Sequence, residues 1–304
     1  MKIGFGAPVS GAWATPENLA SFATRADQAG YDSLWSFQRL LVPVDSGMEP
    51  VYRSVLDPMV ALGFAAAVTA RIRLGVAVLN MPYVAPAVLA KQAVTVDVLS
   101  GGRLDLGLGV GWLPQEFEAA GASMPRRGAR AEEYVRALHA LWADGVTEFS
   151  GEFYSIPAGT VDPKPVQPGG PPILLGGTVP AALRRAGRIA DGWVTSSRTN
   201  LAKIEDGIAV VKAAAQEAGR DPAAVRIVCR GAVRAGQEAH GSDGSRLLLS
   251  GSYEQIRADT AWLGEHGVTE VFYDLNWDPQ IGSPTADRDV AVRRAGEILD
   301  ALKP

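Results

Sequence analysis

The segment ILLGGTVPAAL, Ile173 to Leu183, ends an apolar run in Gly176–Gly177 and opens a helical pattern at Thr178–Val179–Pro180. Main-chain amides at a helix N-terminus, aided by the positive end of the helix dipole, bind phosphate without needing a lysine. A threonine cap after a flexible turn would leave the same letters, so the segment has two readings, an anion cradle and an ordinary cap. RLDLGLGVGW, Arg103 to Trp112, sets Gly107, Gly109 and Gly111 at alternate positions and leads into Pro114, Glu116 and Phe117. Glycines so placed in a strand suit either a ligand approaching the backbone or tight packing of barrel layers. IRLGVAVLNMPY, Ile72 to Tyr83, is a Val-rich strand of the kind covered on both faces, ending in Asn80, Met81, Pro82 and Tyr83. The three histidines hold less. His139 borders an apolar helix face, His266 precedes a strand, and His240 falls in a loop, with no pair at metal-ligand spacing. Neither a G-x-S-x-G elbow nor a G-x-x-x-x-G-K-[ST] loop is present, so the hydrolase and kinase readings lose their usual support.

These residues need elements to carry them. KIGFG reads as a strand, Thr15–Pro16 as a helix start, and Gly30 as its stop, with Leu19, Phe22, Ala23, Ala26 and Ala29 at helical spacing between. The unit recurs. Strand-like runs begin near Ser33, Ile72, Leu104, Ile173, Trp193, Val225 and Val268. Helical patterns cover Pro58–Ala70, Pro86–Leu99, Arg130–Trp142, Pro180–Ala190, Ala202–Ala218, Glu254–Leu263 and Arg288–Leu302. Eight alternating units predict a parallel sheet closed into a (β/α)8 TIM barrel, one domain over residues 1–304. An open doubly wound sheet is the competitor, but Gly4, Gly6 and Gly11 do not make its G-x-G-x-x-G turn. Three stretches exceed loop length: Gln38–Val55, Glu148–Pro172 and Ala235–Ser252. The first and third follow strands and belong on the C-terminal, active-site face; in the second, SGEFYSI suggests a hairpin and DPKPVQPGGPP a stiff connector.

The 304 residues are 47% hydrophobic and 20% charged, enough apolar material for a large core. A formal charge of -4 without blocks of one sign argues against nucleic acid or an anionic membrane and for a small-molecule partner. The lone Cys229 cannot pair internally, and MKIGFGAPVSGAW lacks the layout of a secretion signal, so the expected location is the cytoplasm. No run is long and apolar enough for a transmembrane helix.

Several segments together resemble the bacterial luciferase-like family, most closely the branch that uses the deazaflavin coenzyme F420 rather than FMN. They are GYDSLW (Gly30–Trp35), DPMVALGFAAAVTARIRLGVAVL (Asp57–Leu79), AKQAVTVDVLSGGRLDLGLGVGW (Ala90–Trp112), RRGARAEEYVRALHALW (Arg126–Trp142) and PILLGG…AGRIADGWVTS (Pro172–Ser196). The resemblance implies a (β/α)8 barrel, usually a homodimer, that holds a flavin-type ring at its C-terminal mouth and moves a hydride between ring and substrate. It places the family's non-proline cis peptide at Ala77–Val78, its cofactor-phosphate turn at Gly176, Gly177 and Thr178, a polar residue near the ring at Glu116, and a hydroxyl at Ser196. It departs at WSFQRLLVP, where many deazaflavin enzymes carry Asp-His and this chain has Gln38 and Arg39. Arginine stays protonated, so Arg39 suits an anionic or enolate-like substrate and is a poor proton donor. Glu116, Tyr83 and Tyr52 remain for proton transfer, with Tyr52 also a pocket wall. Trp13, Phe37, Tyr52, Tyr83, Trp112, Tyr273 and Trp277 are candidates for an apolar substrate pocket. An F420-dependent oxidoreductase is thus the leading expectation. The alternatives are an FMN-dependent monooxygenase, a non-catalytic cofactor-binding barrel, and a sugar-phosphate isomerase or lyase, whose usual lysine or paired acids are not found at the strand ends.

Overall fold

A computed structural model describes residues 1–304. Its strands are β1 (Lys2–Gly6), β2 (Ser33–Ser36), β3 (Arg73–Asn80), β4 (Leu104–Gly109), β5 (Val146–Ser150), β6 (Ser155–Thr160), β7 (Ile173–Gly176), β8 (Gly192–Val194), β9 (Arg226–Ala232), β10 (Arg234–Ala235), β11 (Ser250–Gly251) and β12 (Glu270–Asp274). Its helices are α1 (Pro16–Ala29), α2 (Pro58–Val68), α3 (Pro86–Ser100), α4 (Pro114–Ala119), α5 (Arg127–Trp142), α6 (Pro180–Ile189), α7 (Ile204–Glu217), α8 (Tyr253–Glu265) and α9 (Arg288–Ala301). Eight strands close in the order β1-β12-β9-β8-β7-β4-β3-β2, every neighbouring pair parallel. The expected (β/α)8 barrel is therefore the observed fold.

Local chemistry sets the element ends. Thr15 caps α1 by accepting from the Asn18 amide, and Gly30, at φ 95°, closes it in the left-handed region. Ser252 and Gln255 form a reciprocal capping box on α8. The SGEFYSI segment does turn as a hairpin, β5 against β6, antiparallel. The loop after β9 carries a short ladder of β10 and β11. Some boundaries move: α2 stops at Val68, α5 begins at Arg127 rather than Arg130, and the span expected from Ala202 splits into a one-turn helix, Leu201–Lys203, and α7. The short α4 lies outside the expected patterns. No helix is long and apolar enough to cross a membrane.

Two apolar cores result. The larger fills the space between strands and helices, and a smaller one lies inside the barrel, made of Trp35, Ala77, Leu174, Val194, Val228 and Phe272. Trp35 and Phe272 stack at 5.1 Å. Gly75 gives Trp35 its room, because a Cβ there would run into the indole. The same question at Gly107 and Gly109 resolves toward packing: a Cβ on Gly107 would strike the Val76 carbonyl, and one on Gly109 would come within 2.6 Å of Val78 Cγ2.

Below this inner core, at the strand starts, the barrel is closed by charge. Asp105 accepts from Arg73 at 2.8 and 2.7 Å and from Arg226 at 2.7 and 3.1 Å. Arg226 also reaches Glu270 at 3.0 Å, and Glu270 accepts from Ser33 and Trp35 at 2.5 and 2.9 Å.

Candidate active site at the barrel mouth

Above the inner core, at the strand ends, two buried arginines are layered with aromatic rings. Arg39, just past β2, donates to Glu116 of α4 at 2.8 Å, and the Leu40 amide donates to the other carboxylate oxygen at 2.7 Å. Its guanidinium lies 4.5 Å from the Tyr52 ring and 5.3 Å from that of Trp112. Arg230, on β9, donates to Asp274 at 2.7 Å and to the Ala77 carbonyl at 3.0 Å, with Phe37 at 4.6 Å and Trp277 at 5.7 Å. Tyr52 meets Trp277 edge-on at 5.3 Å, so the series Trp112, Arg39, Tyr52, Trp277, Arg230, Phe37 spans the mouth.

Glu116 and Arg39 are thus brought together, but as partners: the carboxylate neutralises the cation that the sequence offered to an anionic substrate. Tyr83 points at the same carboxylate, 3.4 Å away. Burial and then the Glu116 charge push its phenol well above the ordinary value, so Tyr83 keeps its proton and acts as a hydrogen-bond donor rather than an acid. Cys229 is no nucleophile, since burial pushes its thiol up to about 12. Two buried side-chain donors, Arg39 Nε and Trp277 Nε1, lack a hydrogen-bond partner, and both belong to this layered array, whereas Arg230 Nη2 is ion-paired with Asp274 Oδ2 at 2.6 Å. A buried orphan donor costs about 1–3 kcal/mol, so native proteins keep few of them.

From this array a cleft of about 620 Å³ runs outward, a volume typical of small-molecule sites. Tyr52 and Trp112 wall one end, Thr178 and Pro180 the other, with Trp193, Ser196 and Lys203 also on its lining. Trp112 is 51% exposed, a flat indole face open to a ligand. At the far end the capping reading of Thr178 fails: the residue before α6 is Val179, and no side chain caps the helix. Pro180 has no N–H, and the Ala182 and Leu183 amides donate to the Val179 carbonyl, so the donors left for an anion at this end are the Ala181 amide and those of the turn before the helix, Thr178 and Val179. Gly177 is held at φ +147°, where a side chain is strained, and a Cβ would collide with Ala182. Its carbonyl accepts from Trp193 at 2.9 Å, which fixes the turn.

The remaining sequence candidates divide. The Ala77–Val78 peptide is cis, and the Val78 side chain occupies the space left by Gly109 and Gly176. Ser196 and Tyr52 line the cleft, whereas Gly176 packs beneath it. Trp13 is a correction: it is fully buried, packed edge-on to Phe22 at 5.2 Å and hydrogen-bonded to Asn276, with no face on the mouth. Tyr273 is another, since its hydroxyl lies 2.9 Å from Thr260 of α8 and so faces the helix layer. Phe37 and Trp277 are buried around Arg230 rather than lining the long cleft. Arg230 and Asp274 were missed by sequence reasoning. A charged residue inside the otherwise apolar run RIVCRGA, and an acid closing EVFYD, were the available signals.

A closed barrel whose ligand cleft opens at the C-terminal mouth is the protein class these features define. The chain belongs to the luciferase-like monooxygenase family, whose model matches residues 3–241. An uncharacterised protein of Mycobacterium tuberculosis is 35% identical over 209 residues, covering 65% of this chain and 71% of that one. An F420-dependent glucose-6-phosphate dehydrogenase of Kineococcus radiotolerans is 34% identical over 205 residues, covering 65% of this chain and 57% of the relative. The fold is shared with an F420-dependent secondary alcohol dehydrogenase solved with an F420-acetone adduct, at TM-score 0.79 and 17% identity over 100% of this chain and 99% of that one.

Proposed function

We propose that this chain is an oxidoreductase dependent on coenzyme F420 that acts on a small organic substrate at the barrel mouth. The observation that carries the reading is the cleft, whose lining includes both the turn into an uncapped helix N-terminus and the exposed indole of Trp112. The residues present fit such a group. The amides of Thr178, Val179 and Ala181, with Lys203 nearby, suit its phosphate, and Trp112 and Tyr52 suit the face of a planar ring. Ala77 and Val78 form the wall behind, and Ser196 offers a hydroxyl. When bound, the coenzyme supplies the carbon that gives or takes the hydride. The protein supplies position: Glu116 ties Arg39 and the loop after β2 to α4, which holds the Tyr52 wall in place and excludes water from the mouth.

Equilibrium fluorescence titration with coenzyme F420 and, separately, with FMN tests the reading. Micromolar or tighter binding of F420 alone is expected. Tight binding of FMN alone would move the chain to the monooxygenase side of the family, and binding of neither would remove the cofactor assignment.

The partner we infer is a second copy of the chain, seated on α2 and α3. The helix α2 is apolar all round, and a helix of that kind is normally covered. Here Val60 is 73% and Phe64 41% exposed, and Leu99 on the adjoining α3 is 65% exposed. Light scattering should report a dimer for the native chain and a monomer for a Val60→Glu, Phe64→Glu double variant; an unchanged mass would reject this face.

A further inference from the structure

Along a strand, residues two apart face the same way, so the inside of the barrel is built in layers. Trp35, Val228 and Phe272 lie in the inner core, and Phe37, Arg230 and Asp274, each two residues further on, form the layer above it, toward the mouth. That layer is not apolar. Arg230 has 9% of its side chain exposed and Asp274 2%, and the two are paired at 2.6 Å.

In the closed ring of eight strands, β9 and β3 stand four places apart, on opposite sides of the barrel. Arg230 spans that gap. Its Nε donates to Asp274 on the adjoining β12 at 2.7 Å, and its Nη1 donates to the Ala77 carbonyl on β3 at 3.0 Å. Asp274 is fixed in turn: its Oδ1 accepts from the Asn276 amide at 3.1 Å and from the Asn276 side chain at 2.9 Å, and that side chain also donates to the Ala7 carbonyl at 2.9 Å. The rings of Phe37 and Trp277 lie over the guanidinium. At the receiving end the sheet is interrupted. Val76 is the last β3 residue in register with β2, and the pairing of β3 with β4 shifts between Val76 and Leu79, so Ala77 and Val78 are in register with neither neighbour. The Ala77 carbonyl takes its bond from across the barrel.

Stability alone does not call for this pair, because apolar residues of similar volume often replace a buried ion pair without loss. A planar guanidinium does what they cannot: it serves two acceptors at a fixed angle. We propose that Arg230 is a positioning residue for hydride transfer: anchored by Asp274, it sets the Ala77–Val78 segment of β3 as the wall against which the coenzyme ring lies. Arg230 acts through Ala77, and the proposal rests on the coenzyme reading for what occupies the mouth.

Two variants test it. Arg230→Met combined with Asp274→Asn removes both charges and leaves Asn276 its acceptor, while Arg230→Lys keeps the charge but lacks the fork that serves Asp274 and Ala77 together. Each is titrated with coenzyme F420 and, separately, with the deazaflavin nucleoside that lacks the phosphate, and the visible circular dichroism of the bound ring is recorded. The neutral pair should bind both ligands about tenfold or more weakly than the native chain, by the same factor for each, and should alter the dichroism of the ring. Arg230→Lys should do the same, whereas an ion pair with a merely structural role would be restored by it. Native affinity and dichroism in the folded neutral pair, or a loss confined to the phosphate-bearing ligand, overturns the proposal. If the neutral pair does not fold, Arg230→Lys decides alone, and native affinity and dichroism there overturn it. A native chain that binds neither ligand removes the coenzyme reading and the proposal with it; a native chain that binds both, with variants that bind them equally well, removes the proposal alone.

Discussion

The two ends of the barrel both bury arginine and carboxylate, yet they handle charge in opposite ways. At the floor, Asp105 sits between Arg73 and Arg226 and takes two bonds from each, while Glu270 accepts from Arg226, Ser33 and Trp35. At the mouth, Arg39 Nε and Trp277 Nε1 are left without partners, while Arg230 is paired with Asp274. The floor is a satisfied network, which fixes the strands; the mouth retains hydrogen-bonding capacity beside a cleft. Stability should therefore be concentrated at one end and ligand affinity at the other.

The largest test of this contrast is Asp105→Ala. Removing the shared carboxylate leaves two arginines without a counter-charge, and breaking a buried pair in this way costs about 3–5 kcal/mol. Thermal unfolding should show a clear drop in Tm, and a small one would mean the floor is not the anchor. Acid should reveal the same network more gently. Burial pushes the Asp105 carboxyl up, but hydrogen bonds and charge from Arg73 and Arg226 outweigh it and hold the group below the usual carboxylate range. A lowered folded value contributes stability above the unfolded value, about 3.9, and loses it as the pH falls through the folded one. Unfolding followed from pH 6 downward should therefore steepen below about pH 4 in the native chain and flatten there in Asp105→Asn. At the mouth, Trp112→Ala should weaken coenzyme binding roughly 5- to 10-fold, about 1 kcal/mol of lost ring contact. Its stability should stay within about 0.5 kcal/mol of native, as for other exposed positions. A large loss of stability there would erase the contrast.

Much of the frame was legible because its signals are local. Thr15–Pro16 and Gly30 mark a helix within one turn of chain, and eight repeats of such units fix the barrel. The Gly177–Thr178 turn is equally local, although only the structure shows that Thr178 does not cap α6. What the sequence hid is long-range. Arg226 meets Asp105 across 121 residues and Arg230 meets Ala77 across 153, pairings set by parallel register rather than by spacing. Tyr273 failed for a different reason. A strand turns alternate residues to opposite faces, so with Phe272 in the inner core its neighbour Tyr273 had to face α8. Position at a strand end alone could not tell the two apart.

The central claim, that the mouth holds the coenzyme by its phosphate at the start of α6, is tested most directly with Thr178→Asp. A carboxylate beside a helix N-terminus favours the helix by about 0.3–1 kcal/mol, so folding should be kept or improved. The same charge repels a phosphate, so titration with coenzyme F420 should show binding weakened at least about tenfold, or 1.4 kcal/mol, relative to the native chain. Equal affinity in the two proteins would contradict the account.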